Sequence, residues 1–365
     1  MTVEQVIGAA LVLLFLADVF LTVLYARAGT GLLAPYWTRA WWMALRGLGR
    51  LFGRRRGMAL SFAGPLIVVS LIGFWSFGLA LGAALMIRPE LGSAIRASSG
   101  GTPTDLVTAL LVAGNSLSIV GGGDYAPHTT ATRLLYLGNS LIGASVLSLV
   151  LSYLVQVYSA LRERNALALT IDLMTGGTGD AAIMLARLLP HGDADPATSE
   201  LGNLVRPLAA IKEAHHFYPL LIYFRFDEPR YAVSRFTFIL LDLTGLIEDL
   251  LDRQRYGSVV HHVAVDALRR GARQLLGTLD REAAHEVGPL RHAEQSWRLR
   301  QRYLAASTIL SHAHVAVQAD RADHYVSSRR EWEPAVERVA SALGYATAEV
   351  GGLPPISAEN EPTCL

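Results

Sequence analysis

The sequence predicts an all-α membrane protein: three transmembrane helices, a short helix and glycine-rich loop ahead of the third, then an all-α cytoplasmic domain. Three long segments carry almost no charge, arginine is unevenly distributed between loops, and the second half shows helical periodicity without strand-like alternation. The chain has 365 residues and a net charge of +1, with a mean hydropathy of +0.33. These values argue against a nucleic-acid binder and against a single soluble globule.

The three apolar segments are residues 5–26, 58–87 and 134–161. Each exceeds the roughly 20 residues that cross a bilayer. The two later segments contain no charged side chain, and the first contains only Asp18. Since the first segment is too long for a signal peptide and lacks its small-residue cleavage site, we expect it to be a retained helix, within an N-terminal transmembrane domain at 1–30.

Arginine sets the expected orientation. Residues 27–57 contain seven arginines and no acidic residue, whereas residues 88–132 contain two arginines and three acidic residues. The first loop is therefore predicted to be cytoplasmic. It follows that the N-terminus faces outward, the glycine-rich loop enters from the outer side, and the chain from about residue 162 is cytoplasmic. We expect a multi-pass protein of the cell inner membrane.

Asp18 is the one intramembrane charge. An ionisable side chain costs roughly 2.5–3.5 kcal/mol at the bilayer centre, so it should face protein, water or a cation. One interpretation is a proton- or ion-sensitive site. The other is a buried hydrogen bond to a neighbouring helix, with Ser61, Ser70 or Ser76 as the partner.

Residues 35–53 predict an amphipathic helix at the inner membrane surface, within a basic interfacial segment at 31–57. Its apolar residues recur at spacings of three and four: Trp37, Trp41, Trp42, Leu45, Leu48 and Phe52. Such a helix either anchors the protein on anionic membrane lipids or transmits motion to the transmembrane helices.

A short helix is predicted at 104–116, and the loop after it ends in Ile-Val-Gly-Gly-Gly-Asp at 119–124. Gly121 and Gly123 permit backbone of alternating handedness, which turns consecutive carbonyls to one side. The C-terminal end of the helix adds partial negative charge, and both features favour a cation. An ordinary glycine-rich turn is the competing interpretation.

The order of span, basic amphipathic stretch, span, short helix, glycine-rich loop and span resembles the pore module of the bacterial potassium channel family over residues 1–160, with an extra N-terminal helix. That family carries Thr-Val-Gly-Tyr-Gly-Asp in its selectivity filter, and this chain matches four of the six positions. The resemblance implies a pore domain at 58–161, a homotetramer, and potassium or another monovalent cation as the permeant ion, without a cofactor. The implied ion-binding residues are Ile119, Val120, Gly121, Gly122, Gly123 and Asp124.

Two departures from that filter weaken the expected preference for potassium. Ile119 lacks the threonine hydroxyl, and Gly122 lacks the tyrosine that braces the filter. Tyr125 is a candidate substitute for the brace. A non-conducting membrane sensor or scaffold that keeps the pore fold is therefore the alternative function.

The last span carries further candidate residues. Gly138 and Gly143 permit either close packing or a bend. Gly143 lies where the resembling family has its gating hinge. Tyr153 and Gln156 fall near the expected inner mouth, although tyrosines at a membrane boundary also form interfacial belts.

Residues 162–350 predict a helical cytoplasmic domain of unknown ligand, followed by a flexible tail at 351–365. Its helices are expected at 179–190, 197–215, 230–255, 258–285, 291–325 and 331–345. We expect no enzyme, because no catalytic constellation or phosphate loop stands out, and no metal site. Ten of the eleven histidines lie beyond the membrane part, and we expect solvated or interfacial histidines that make this domain pH-responsive.

Overall fold

The structure is a computed structural model. It describes residues 2–25, 31–118, 123–283, 295–318 and 320–351. The chain divides into two compact units. The first unit comprises Met1–Ala44 and Pro65–Tyr158, and the second unit comprises Leu45–Gly64 and Ser159–Leu365.

Three long apolar helices dominate the first unit: α1 (Val3–Val23), α4 (Ala63–Ile87) and α6 (Thr130–Met174), the last of which ends in the second unit. They lie in three helical segments that are long and apolar enough to cross a membrane. The prediction of three membrane-spanning candidates is therefore confirmed. The second candidate, Arg56–Glu90, covers the predicted 58–87, and within it residues 56–61 form a separate short helix before α4.

Helices α1 and α4 approach each other closely through glycine. A Cβ at Gly8 would come within 2.5 Å of the carbonyl oxygen of Gly82, and the Phe15 ring occupies the space beside Gly78. Phe15 belongs to a buried cluster with Trp75. Small residues at such contacts let helices pack by van der Waals attraction where lipid removes the hydrophobic drive.

The amphipathic stretch is shorter than predicted. Helix α2 (Ala34–Gly49) is followed by a 3₁₀ segment, Arg50–Arg55, and by α3 (Arg56–Ser61). Gly53 has a φ of 51°, which interrupts the helical backbone. Residues 45–64 cluster with the second unit, whereas the sequence pattern grouped 31–57 as one interfacial segment.

Helix α5 (Leu106–Leu117) matches the short helix expected at 104–116, and the Asp105 side chain caps it by accepting from the Thr108 amide. Two strands flank it in sequence, β1 (Ile95–Ala97) and β2 (Tyr125–Pro127). They pair antiparallel, with Ile95 opposite Pro127 and Ala97 opposite Tyr125. Strands of three residues are too short to show alternation, so this strand pair was not predicted from the sequence.

The second unit is built around α9 (Val233–Leu250), which is buried along almost its whole length. The helices around it are α7 (Ala181–Leu188), α8 (Asp195–Phe217), α10 (Arg253–Val260), α11 (Val263–Ala283), α12 (Gln295–His312), α13 (Ala322–Ala342) and α14 (Thr347–Gly351). Helices α7, α11 and α13 pack directly against α9.

The prediction of one helix at 291–325 was wrong, because the structure has α12 and α13 there with a break between them. His314 has a φ of 60°, a conformation that no helix continues through. After it, Val317 bridges Leu251, and the Gln318 amide donates to the Leu250 carbonyl. The segment after α12 thus forms backbone hydrogen bonds with the end of α9 and does not continue as a helix.

Candidate functional site

The predicted ion-binding loop is only partly within the described residues. Ile119, Val120, Gly121 and Gly122 lie outside them, whereas Gly123 and Asp124 are described. The site is therefore described by the residues on either side of the loop, up to Ser118 and from Gly123 onward.

Both sides of the loop meet at the C-terminal end of α5. Ser118 is the last described residue before it and donates its amide to the Gly114 carbonyl. Gly123 is the first described residue after the loop, and a Cβ there would lie 2.7 Å from the side-chain Nδ2 of Asn115. Its φ of 147° is also in the region that favours glycine. The backbone conformation at position 123 therefore favours glycine, and any larger residue would also displace the Asn115 side chain.

Ser98, which follows β1, holds the backbone at Asp124, where the loop ends. The Asp124 carbonyl accepts from the Ser98 amide at 2.5 Å and from the Ser98 hydroxyl at 3.0 Å. The Asp124 side chain is exposed. The backbone at this end is therefore fixed, while the carboxylate stays open to solvent.

Helix α6 holds α5 through a polar contact and a close approach. Asn139 donates to the Ser116 hydroxyl at 2.9 Å, Ser116 donates to the Ala113 carbonyl at 2.8 Å, and both side chains are buried. A Cβ at Gly143 would overlap the Leu117 carbonyl oxygen. The packing interpretation of Gly143 has this direct support, and its role as a hinge stays a prediction.

Asn139 was missed from the sequence, although a polar amide in an otherwise apolar span is a usable signal. Gly138 differs from its neighbour, because a Cβ there would meet nothing within 4 Å.

A cavity of about 340 Å³ lies beside the loop, lined among others by Asn115, Ser116, Gly123, Tyr125 and Tyr136. Tyr125, the candidate brace, is half-buried and packs on the cluster that buries α5. The Tyr136 hydroxyl is buried and has no hydrogen-bond partner among the described residues.

The two residues predicted at the inner mouth differ in their surroundings. Tyr153 is buried within the single chain, whereas Gln156 is exposed. Of the two, Gln156 is therefore the one whose side chain is free to face water or another subunit.

Asp18 is fully buried and accepts three hydrogen bonds. The indole nitrogen of Trp75 donates at 2.7 Å, and the backbone amides of Leu33 and Ala34 donate at 2.7 and 3.2 Å. The carboxylate therefore joins α4 and the start of α2, where free amides and the helix dipole favour a negative charge.

The expected bond from Asp18 to a neighbouring helix is present, but the serine partners were wrong. Ser70 instead accepts from the Trp37 indole and donates to the Ile67 carbonyl. Ser61 donates to the Met58 carbonyl within its own helix. Their hydroxyls are satisfied locally, so the indole and the amides at the start of α2 supply the donors to Asp18.

The second unit buries a charged cluster that the sequence did not reveal. Asp242 accepts from Arg302 at 2.5 and 3.0 Å, from Arg329 at 2.5 Å and from the Tyr325 hydroxyl at 2.5 Å. Burial alone would raise the pKa of Asp242, but the two arginines outweigh it and hold that pKa below its usual value. The same carboxylate raises the pKa of Arg329, although burial opposes it.

Among the described residues, no group of three His, Cys, Asp or Glu is placed to hold a metal ion. His215 is buried, and this burial together with nearby Arg164 lowers its pKa to about 3. It is therefore a neutral interior residue, unlike the solvated or interfacial histidines expected from sequence.

No protein-family model, curated protein or solved structure matches this chain.

Proposed function

We propose that the chain is the subunit of a tetrameric cation channel, with residues 119–124 as its ion-binding loop. The observation that carries the proposal is the junction at Gly123, where a glycine-only backbone meets the C-terminal end of α5. The negative end of that helix dipole and the loop carbonyls favour a cation at one place. One chain provides one loop, so a ring of carbonyls requires several copies around an axis.

The surroundings of α5 support a fixed loop. Asn139 and Gly143 hold the end of the helix, and Ser98 holds the Asp124 backbone. A channel needs such anchors, because cation binding by carbonyls depends on the number and placement of the ligands. In the proposed orientation, α5 and the two strands face outward and the second unit is cytoplasmic, as the arginine distribution predicts.

The channel is proposed to discriminate weakly between potassium and sodium. Ile119 gives no hydroxyl to the innermost ion position, and Gly122 gives no ring to stiffen the loop. Tyr125 provides an aromatic ring beside α5 from the other side of the loop. These same departures favour the second candidate, a non-conducting sensor or scaffold that retains the fold.

Ion flux from liposomes that contain the purified protein separates the two candidates. We expect potassium flux from the wild type and its loss in Gly123→Ala, because the added Cβ meets Asn115 in a strained backbone. Gly101→Ala is the matched control, since a Cβ there meets nothing within 4 Å. Absence of flux from correctly assembled wild type would contradict the channel and favour the scaffold.

Selectivity and assembly are tested on the same preparation. Reversal potentials under bi-ionic conditions should show weak discrimination in the wild type and stronger discrimination in the double variant Ile119→Thr with Gly122→Tyr. Native mass spectrometry should show four chains. A dimer, or a wild type strongly selective for potassium, would contradict the corresponding part of the proposal.

A further inference from the structure

A cavity of about 480 Å³ in the second unit is lined by arginine. Four arginines face it, together with two acidic residues: Arg46, Arg50, Arg56, Arg225, Asp227 and Glu349. Four positive and two negative side chains leave a formal charge of +2. All of these residues belong to the second unit, whereas the loop proposed to bind cations belongs to the first.

The local backbone brings the arginines together. Arg46 lies in the last turn of α2 and Arg50 one turn later, so both project on the same side. The break at Gly53 then reverses the chain and places Arg56 at the start of α3. Arg225 comes from the segment before α9, where its side chain is buried.

Two of the guanidinium groups are held in position by neutral partners. Arg225 donates to the Gly57 carbonyl at 2.6 Å and lies 4.4 Å from the centre of the Tyr345 ring. Arg46 donates to the Ser341 carbonyl at 3.1 Å. The Gly57 carbonyl and the Tyr345 ring orient the Arg225 guanidinium without cancelling its charge, so this part of the cavity is preorganised and positive.

The acidic residues at the rim do not form ion pairs with Arg56 or Arg225. Among the described residues, neither Arg56 nor Arg225 has a carboxylate within 4 Å, and the Nε atoms of both are buried without a hydrogen-bond partner. Glu349 instead accepts from the Ala346 amide at 2.8 Å. Burial, and then Arg46, Arg50 and Arg225, lower the pKa of Arg56, which shows that the positive charges repel one another.

We infer that this cavity binds a phosphate-bearing anion. Guanidinium groups match phosphate oxygens with paired, charge-assisted hydrogen bonds, and several arginines converging on one space are typical of phosphate recognition. The volume falls in the range of small-ligand sites. A bound dianion would cancel the formal charge of +2 and satisfy the buried Nε groups. The phosphate belongs either to a soluble phosphate ester or to the headgroup of an anionic phospholipid.

The experiment uses the full-length protein in phosphatidylcholine nanodiscs. In the soluble arm, inorganic pyrophosphate is titrated by calorimetry. In the lipid arm, the thermal unfolding temperature is compared between nanodiscs with phosphatidic acid and nanodiscs with phosphatidylserine, whose headgroup phosphate is esterified on both sides. The variants are Arg56→Gln and Arg50→Gln, and the matched control is Arg206→Gln, an exposed arginine of the same unit outside the cavity.

We expect binding of pyrophosphate, stabilisation by phosphatidic acid beyond phosphatidylserine, or both, with the responding arm identifying the source. The affinity or the stabilisation should fall about tenfold or more in Arg56→Gln and remain unchanged in Arg206→Gln. If Arg56→Gln does not fold, the exposed Arg50→Gln gives the same comparison. No response in either arm, or an equal loss in the Arg206→Gln control, overturns the inference. Since neither arm measures ion flux, the outcome is independent of the proposed channel.

Discussion

Each of the two units buries a carboxylate completely, and the two carboxylates are stabilised in opposite ways. Among the described residues of the first unit, neutral groups donate to Asp18, namely two backbone amides and one indole. In the second unit, Asp242 receives two guanidinium groups and a phenol. Oriented dipoles spare an apolar segment the burial of further charges, whereas a larger helical core can bury the counter-charges as well.

The counter-charges of Asp242 are themselves packed on an aromatic ring. The guanidinium carbons of Arg302 and Arg329 lie 5.4 and 4.8 Å from the centre of the Phe238 ring. The second unit therefore depends on a cluster of groups that stabilise one another: Asp242, its two arginines, Tyr325 and the Phe238 ring. Loss of one member should cost more there than loss of one donor around Asp18.

The largest expected effect comes from Asp242→Asn. It removes the charge that two buried arginines share, and breaking a buried pair in this way costs about 3–5 kcal/mol in the free energy of unfolding. Asp280→Asn is the matched control, because its pair with Arg338 is partly exposed, and such pairs are worth about 0–1 kcal/mol. Chemical unfolding followed by circular dichroism measures both, and equal losses would contradict the comparison.

The same cluster sets an acid limit. Because the folded pKa of Asp242 lies below its unfolded value of about 3.9, its contribution is complete above that pH and is lost as the pH falls through the folded pKa. The wild type should therefore lose stability below about pH 4, and Asp242→Asn should lack that component of the loss.

The next effect tests how the first unit is packed. Gly143→Ala places a methyl group on the Leu117 carbonyl oxygen, so α6 must move away from α5. We expect a loss of up to about 3 kcal/mol, as for overpacking of a tight interior, seen as a lower thermal unfolding temperature in detergent. Gly138→Ala on the same helix should be nearly neutral, and a similar loss there would show that helix flexibility, not contact, is responsible.

A smaller effect is expected from Asp18→Asn. The amide keeps one acceptor oxygen but turns its own donor toward N–H groups, which leaves about one donor unpaired at a cost of about 1–3 kcal/mol. Trp75→Phe removes the indole donor while keeping an aromatic ring, and it should cost less because both backbone amides keep their acceptor. Thermal unfolding of the two variants checks the order. The reverse order would show that the ring packing outweighs the carboxylate.

The last effect concerns His215, a buried histidine of the second unit close to Arg164, and it develops only on acidification. Its folded pKa of about 3 lies below the unfolded value of about 6.5, so below pH 6.5 the unfolded chain binds a proton that the folded chain does not. The free energy of unfolding should fall by about 1.4 kcal/mol per pH unit in that range.

Unfolding between pH 6.5 and 5 tests this directly. His215→Gln should flatten the pH dependence, whereas His261→Gln, an exposed position, should leave it unchanged. An unaltered slope in His215→Gln would assign the acid sensitivity of the second unit to other groups.

Local patterns predicted the elements well where the signal lies within the element. The apolar runs indicated α1, α4 and α6, and α5 lies close to the short helix predicted at 104–116. The break between α12 and α13 could not be placed, because it results from a bridge between Val317 and Leu251, which are far apart in sequence.

The partners of buried charges were beyond the sequence for the same reason. Arg302 and Arg329 lie 60 and 87 residues from Asp242, and nothing in their local pattern distinguishes them from surface arginines. The arginines of the proposed anion cavity come partly from the basic segment used to predict the orientation, but Arg225 joins them only through the fold. Local patterns identified the charges, and tertiary approach decided which of them meet.

The antiparallel pair of β1 and β2 anchors the chain on both sides of α5, at positions outside the glycine-rich loop. Its backbone bonds, with the pair formed by Ser98 and Asp124, hold both ends of the chain around α5 without using any side chain of residues 119–122. Substitutions in the loop between α5 and Asp124 leave both partners of each of these bonds in place. If the loop binds cations as proposed, variation there would change its ligand preference while these bonds stay intact, which would leave natural selection a protected place in which to tune it.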